Sequence, residues 1–319
     1  MTSAGMDALV GRGPAMERLR RIIARVGASD VPVLVSGETG SGKELVARAI
    51  HAASPRRARP FVAVNCGALC DNLLAAELFG AERGAYTGAT TSRPGLFVTA
   101  DGGTLLLDEV GDMSPAMQTS LLRVLETSEV QPLGATRSRK VDVRVLAASH
   151  RDLFDLTRKG TFRDDLRYRL EVVRIEVPPL RDRMEDVPVL CQHVLREVQQ
   201  RYNLPDRQLA PATLQALCAR RWSGNVRELR HLLVSAALTA EDVMILPGDL
   251  PPERSTQDST AGVEQPDVPA RNNHAARTDS VHGALRATAG HHGRAAQRLG
   301  ISRSTLYRYL RSSGSGQLS

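Results

Sequence analysis

The chain has 319 residues, 42% of them hydrophobic and 24% charged, with a formal net charge of +7. That is enough apolar chain for about two to three packed domains, and no apolar run approaches the roughly 18 residues of a membrane span. The N-terminus, MTSAGMDALVGRG, has no signal-like apolar stretch, and Cys66, Cys70, Cys191 and Cys218 complete neither a CxxC pair nor a Cys/His run. An exported disulfide scaffold and a structural zinc site are thereby disfavoured, and a cytoplasmic protein with reduced thiols is expected.

In chain order, VPVLVSG (31–37) reads as an apolar strand that enters a glycine-rich turn and then a helical pattern, KELVARAIHAA. Further β-leaning runs follow at FVAVN (61–65), GTLLLD (103–108), VDVRVLAAS (141–149) and VVRIEV (172–177), separated by helix-like stretches such as MQTSLLRVLE (117–126). Strands alternating with helices predict a parallel α/β sheet covered on both faces. After PPL (178–180) the pattern reads as helices only, in DVPVLCQHVLREVQQRY, APATLQALCARR and NVRELRHLLVSAAL. These divisions give an α/β region over 7–181, a small helical domain over 182–250, a linker over 251–278 rich in Pro, Ser, Thr, Asn and Gln, and a last helical segment over 279–312. From Arg271 onward the chain carries eight arginines and one acid, which accounts for the whole positive excess. A local basic segment of this kind is the footprint of a polyanion partner.

Within the first region, GETGSGK (37–43) has the G-x-x-x-x-G-K spacing and the required strand-to-helix setting. Backbone N–H groups of Gly37, Glu38, Thr39, Gly40, Ser41 and Gly42 are expected to close around phosphate oxygens, with Lys43 reaching the β- and γ-phosphates. Glu44 stands where this motif usually supplies a hydroxyl to Mg2+, so the metal must lean on other groups or on water. LLLDE (105–109) delivers two carboxylates at a strand end, where ligands sit in open α/β sheets. Asp108 is expected to hold Mg2+, directly or through water, and Glu109 to polarise the attacking water as general base. ATP hydrolysis follows from these residues alone. In FRDDLRYRL (162–170), Arg163 and Arg169 are able to serve as arginine fingers or simply to line a solvated helix face, and the residues by themselves leave that open. GAYTGA (84–89) sets an aromatic and a threonine, Tyr86 and Thr87, between Gly84, Ala85, Gly88 and Ala89, which are too small to build a core.

Taken in order, GETGSGKELVARAIH, ELFGAERGAYTGA, GGTLLLDEVGDM, FRDDLRYRL, PPLRDRMEDVPVL and WSGNVREL resemble the bacterial enhancer-binding proteins, the AAA+ activators of sigma-54 RNA polymerase. The resemblance runs from Leu9 to Leu310. It implies an α/β AAA+ P-loop ATPase with a parallel sheet and helices on both faces, a helical lid and a C-terminal Fis-type helix-turn-helix. GAYTGA is similar to the family's GAFTGA loop, which contacts sigma-54, with Tyr86 in place of the usual Phe; EVQPLGATRSRK (129–140) is similar to its supporting loop. Asn65 resembles the asparagine that holds the catalytic glutamate, Arg163 and Arg169 the inter-subunit fingers, and Arg227 the lid's sensor arginine. Ser149 and His150 stand where the family often has Thr-Asn, and Ser223 where proline is frequent.

RAAQRLGISRSTLYRYLR (294–311) reads as helix, turn and helix, the second offering Arg303, Ser304, Thr305, Tyr307 and Arg308 to a DNA groove. The resemblance implies a hexameric ring that binds enhancer DNA and uses ATP hydrolysis to open the sigma-54 polymerase closed complex. Because DALVGRGPAMERLRRI (7–22) already begins the ATPase segment, a short form lacking an N-terminal sensor is expected, regulated in trans by a partner protein or by its own amount. A DNA-binding repressor using ATP only for assembly is the alternative, opposed by the intact GAYTGA; a chaperone is opposed by the basic helix-turn-helix.

Overall fold

The computed structural model describes residues 9–85, 91–240 and 242–252. Its α/β region runs α1 (Pro14–Gly27), β1 (Val33–Ser36), α2 (Lys43–Ala52), β2 (Phe61–Asn65), α3 (Asp71–Phe79), β3 (Gly80–Ala81), β4 (Arg93–Pro94), α4 (Leu96–Thr99) and β5 (Thr104–Asp108). A 3-10 turn (Val110–Asp112) leads to α5 (Pro115–Thr127), β6 (Glu129–Val130), β7 (Arg139–Lys140), β8 (Arg144–Ser149), α6 (Leu153–Arg158), α7 (Asp164–Leu170) and β9 (Val173–Glu176). The five longer strands are the five apolar runs of the sequence.

They form one parallel sheet in the order β2-β5-β8-β1-β9. From β1 the chain crosses to the far edge at β2, works back to β8, and then passes to β9 on the other side of β1. The strand order therefore reverses at β1, and in open α/β sheets ligands bind beyond the C-terminal strand ends at that point. β1 and β8 are buried at every position, as two-sided coverage requires. The pleat divides the core by alternation. Leu105 and Leu107 pack on one face with Phe97, Leu121 and Leu166, while Leu106 packs on the other with Val33, Ile50, Leu146 and Ile175. At the sheet's opposite end the buried Arg144 donates to the carbonyls of Val26 and Gly27 at 3.0 and 3.1 Å, satisfying the C-terminus of α1.

A 3-10 segment (Leu180–Asp186) leads into α8 (Val187–Tyr202), β10 (Gln208–Leu209), α9 (Pro211–Ala219), α10 (Asn225–Thr239) and β11 (Met244–Ile245). These helices bury a core of their own, with Val187, Cys191, Val194, Trp222, Leu229 and Leu233 at its centre. The segment is not helices only: β10 and β11 make a two-residue parallel pair that ties the connection after α8 to the segment after α10. A strand of two residues has no periodicity to read.

Two excursions leave the sheet region on short necks. β3 pairs antiparallel with β4 below residues 82–92, and β6 pairs antiparallel with β7 below residues 131–138. The necks are joined: Glu82 N–H donates to Leu133 O at 2.9 Å, and Leu133 N–H donates to Gly80 O at 2.8 Å. Of GAYTGA, Gly84 and Ala85 are described, and Gly84 has φ +84°. Tyr86, Thr87, Gly88 and Ala89 lie outside the described residues, as do Arg303, Ser304, Thr305, Tyr307 and Arg308 and the rest of 279–312.

Gly95 sits where the first neck meets α3. A Cβ there meets the backbone of Phe79 at 2.3 Å, Gly80 at 2.4 Å and Leu78 at 2.5 Å. Backbone cannot rotate away as a side chain can, so Gly95→Ala is expected to destabilise the protein by about 2 kcal/mol or more. A lower urea midpoint for this variant is the expected result; an unchanged midpoint contradicts the close packing at this corner.

Candidate active site

The turn after β1 wraps back onto the start of α2. Gly42 is the N-cap of α2 with φ +108°, and no side chain caps that end. Its first-turn N–H groups are therefore open to an anion, with the helix dipole in its favour. Gly40 has φ +78°, and a Cβ on it meets Gly224 O at 2.3 Å, so only glycine lets the turn approach the helical unit this closely. Two further contacts hold the approach: Arg227 N–H donates to Gly40 O at 3.3 Å, and Asn225 Nδ2 donates to Thr39 O at 3.2 Å. Lys43 is buried, and its Nζ donates to Gly37 O at 3.1 Å.

The end of β5 brings the carboxylates to the same place. Asp108 accepts a hydrogen bond from Glu109 N–H at 3.0 Å. Glu109 itself adopts a left-handed conformation, φ 52° and ψ 46°, a strained choice for a residue with a side chain. Its carboxylate lies 3.3 Å from Lys43 Nζ through Oε1. Through Oε2 it accepts from His150 N–H at 3.1 Å and meets His150 Nδ1 at 2.6 Å. The two neighbouring carboxylates diverge electrostatically. Burial and the charge of Glu109 raise the pKa of Asp108 against the pull of Lys43. Burial also opposes charge on Glu109, but the His150 hydrogen bonds and Lys43 outweigh it and hold that carboxyl below its ordinary value. The nearby Cys66 thiol is pushed up to about 12 by burial and by Asp108, Asp112 and Glu109, so it is no nucleophile.

Gly40, Gly42, Lys43, Glu44, Asp108, Glu109, Arg227 and Arg230 line one open cleft of about 370 Å³. A second cavity of about 400 Å³ shares Gly42, Leu45, Val226 and Arg230 with it and is otherwise mainly apolar, with Leu9, Val10, Leu190 and Val194 among its walls. Buried at or beside this cavity, Ser41 Oγ, Arg183 Nε and Asp186 Oδ2 have no hydrogen-bond partner among the described residues. The sequence reading missed this cavity and Arg230. Arg230 lies three residues after Arg227 on α10, one helical turn along the same face, which is the signal that finds it.

Other expected residues sit differently. The Glu38 carboxylate turns to the helical unit, where Arg181 at 2.7 Å and Asn225 at 3.0 Å hold it below its usual range. Glu44 is engaged by Arg48 at 2.7 Å and does not replace the missing hydroxyl. Asn65 Oδ1 accepts from Gly67 N–H at 3.0 Å, closing the turn after β2, while the left-handed turn at Glu109 carries the glutamate side chain to His150. Arg163 and Arg169 are exposed around α7, paired with Asp165 at 2.7 Å and Glu126 at 3.9 Å, and neither lines the cleft.

Comparison with known proteins agrees with this architecture. The sigma-54 interaction domain matches residues 9–176, the AAA+ ATPase lid domain residues 181–266, and the Fis-family bacterial regulatory domain residues 283–311. The transcriptional regulatory protein ZraR of Klebsiella oxytoca is 44% identical over 310 residues, spanning 96% of this chain and 69% of that protein. The DNA-binding transcriptional regulator NtrC of a Bradyrhizobium strain is 43% identical over 331 residues, spanning 95% and 69%. The crystal structure of NtrX from Brucella abortus in complex with ADP superposes with a TM-score of 0.73 at 34% identity, covering 95% of this chain and 68% of NtrX. Its ATP complex superposes with a TM-score of 0.70 at 32% identity, with the same coverage of the two chains. Among the described residues no helix is long and apolar enough to cross a membrane. By these matches and by its parallel sheet, lid and regulatory domain, the chain belongs to the sigma-54 activators, AAA+ transcriptional regulators with a Fis-type DNA-binding helix-turn-helix.

Proposed function

We propose that this protein hydrolyses ATP between the subunits of a homo-oligomeric ring, expected to be a hexamer, and uses the cycle to remodel the sigma-54 RNA polymerase closed complex. The observation that carries the reading is the convergence of Lys43, Asp108, Glu109 and Arg227 on one cleft beside an uncapped helix N-terminus. Phosphates favour that N-terminus and Lys43. The apolar cavity beside it suits a flat base, and the unpaired Ser41 hydroxyl and Arg183 Nε are polar atoms that a nucleotide or ordered water satisfies. Arg227 acts from the lid as the phosphate sensor, with Arg230 next to it.

Asp108 fits a divalent cation: it is half-buried, burial and then the charge of Glu109 raise its pKa, and among the described residues it makes no ion pair. Asp108, with water, would hold Mg2+, which would supply charge neutralisation for the phosphate oxygens. Glu109 takes the proton of the attacking water as that oxygen bonds to the γ-phosphorus and the bond to the β-phosphate oxygen breaks. For this its carboxylate must be freed, and the phosphates compete with it for Lys43.

Arg163 and Arg169 act in trans in this reading. Both are exposed, outside their own chain's cleft, and on a surface that also exposes Phe154 at 53%, Tyr168 at 65% and Val172 at 55%. An apolar patch edged by arginines suits a subunit contact. The hydrogen-bonded necks give GAYTGA a firm base from which Tyr86 and Thr87 contact sigma-54. The basic C-terminal segment binds enhancer DNA, a partner protein regulates in trans, and the protein works in the cytoplasm.

Two outcomes test this. In transcription with purified polymerase, the protein and ATP are expected to open a promoter with the sigma-54 holoenzyme and not with the sigma-70 holoenzyme. Thr87→Ala is expected to abolish opening while keeping ATPase activity. Opening without ATP, or by Thr87→Ala at the parental level, contradicts the coupling. Separately, Glu109→Gln and Arg163→Ala are each expected to lose ATPase activity by about 100-fold or more. Mixing the two restores part of it, because some interfaces then pair an intact Glu109 with an intact Arg163. A mixture no more active than its components contradicts the trans arrangement.

A further inference from the structure

Glu109 has one carboxylate and three donors around it. Oε2 accepts from His150 N–H at 3.1 Å and from His150 Nδ1 at 2.6 Å, while Oε1 faces Lys43 Nζ at 3.3 Å. A carboxylate only accepts, so Nδ1 carries the hydrogen. With both oxygens engaged, Glu109 is a poorer base than a free carboxylate. ATP phosphates compete for Lys43 and so free Oε1. The two His150 bonds are made to the other oxygen, Oε2, so the loss of Lys43 does not by itself break them.

The position of His150 is fixed from both sides. It directly follows β8, whose last residue accepts Gly37 N–H through Ser149 O at 3.3 Å. The next residue, Arg151, pairs at 3.1 Å with Asp112 of the 3-10 turn that follows Glu109. The two strand ends are thus tied together on either side of the His150–Glu109 bond. Asn65, which the family resemblance assigns to this task, is instead bonded to Gly67.

The geometry points to His150 as the positioning residue that restrains Glu109 in this chain, through the bond from Nδ1–H to Oε2. The inference rests on Glu109 being the general base. Hydrolysis is slow until the imidazole lets go, so the residue at the end of β8 sets the resting rate. Because the His150 side chain is 35% exposed, its replacement leaves the core packing untouched.

The test is steady-state ATPase kinetics on the full chain without DNA or polymerase. His150→Ala is expected to raise kcat about five-fold or more with KM for ATP changed less than about two-fold, since a hydrogen bond to a charged group is stronger than a neutral one. His150→Asn, whose amide still donates, brings kcat back toward the parent. The double variant Glu109→Gln with His150→Ala is as inactive as Glu109→Gln alone, which shows that the gain passes through Glu109. A kcat for His150→Ala equal to or below the parent, or His150→Asn as fast as His150→Ala, overturns the restraint. In either case an inactive Glu109→Gln leaves the general-base reading standing. Turnover by Glu109→Gln near the parental rate removes the general base and the restraint together.

Discussion

The Lys43–Glu109 ion pair is the contact on which the rest of the site depends. Lys43 begins α2, and Glu109 follows β5, so the pair bridges the phosphate turn and the acidic strand end across the C-terminal edge of the sheet. One buried ammonium serves one carboxylate, and an arriving triphosphate is the stronger anion. Lys43 already acts on both acids, pulling the pKa of Asp108 down against burial and the charge of Glu109, and helping the His150 hydrogen bonds hold Glu109 below its ordinary value. The helical unit closes on the same turn through Asn225 and Arg227 rather than through apolar packing, which suits a contact that must respond to the nucleotide.

A physical route joins this edge to the loop necks. Leu105 and Leu107 of β5 share a core with Leu74, Leu78 and Phe79 of α3, and α3 runs directly into the neck strand β3. The second neck starts at the end of α5, which contributes Leu121 and Val124 to the same core. Well-packed cores shift as units and not by smooth deformation. The end of β5 is thus joined to both necks by one packed core, and the necks are joined to each other by hydrogen bonds.

Much of this was legible in the sequence. The five sheet strands declared themselves as apolar runs, and GETGSGK and LLLDE fixed Lys43, Asp108 and Glu109 by spacing alone. What stayed hidden depended on conformation. The left-handed turn at Glu109 decides that its partner is His150 and not Asn65, and nothing in the letters announces a positive φ at a glutamate. The Glu38 contacts with Arg181 and Asn225 span 143 and 187 residues, beyond any local pattern. The two-residue strands that form the necks are too short to show an alternation. Arg230 was within reach by helical spacing from Arg227, and the apolar cavity was not, because its walls come from the N-terminal segment, the phosphate turn and the lid together.

Nucleotide is expected to take Lys43 away from Glu109, and a crystal structure with a non-hydrolysable ATP analogue and Mg2+ shows whether it does. Lys43 Nζ is expected on the β- and γ-phosphate oxygens, with its ion pair to Glu109 broken. Lys43 still paired with Glu109, and the phosphates bound without it, would rule this exchange out.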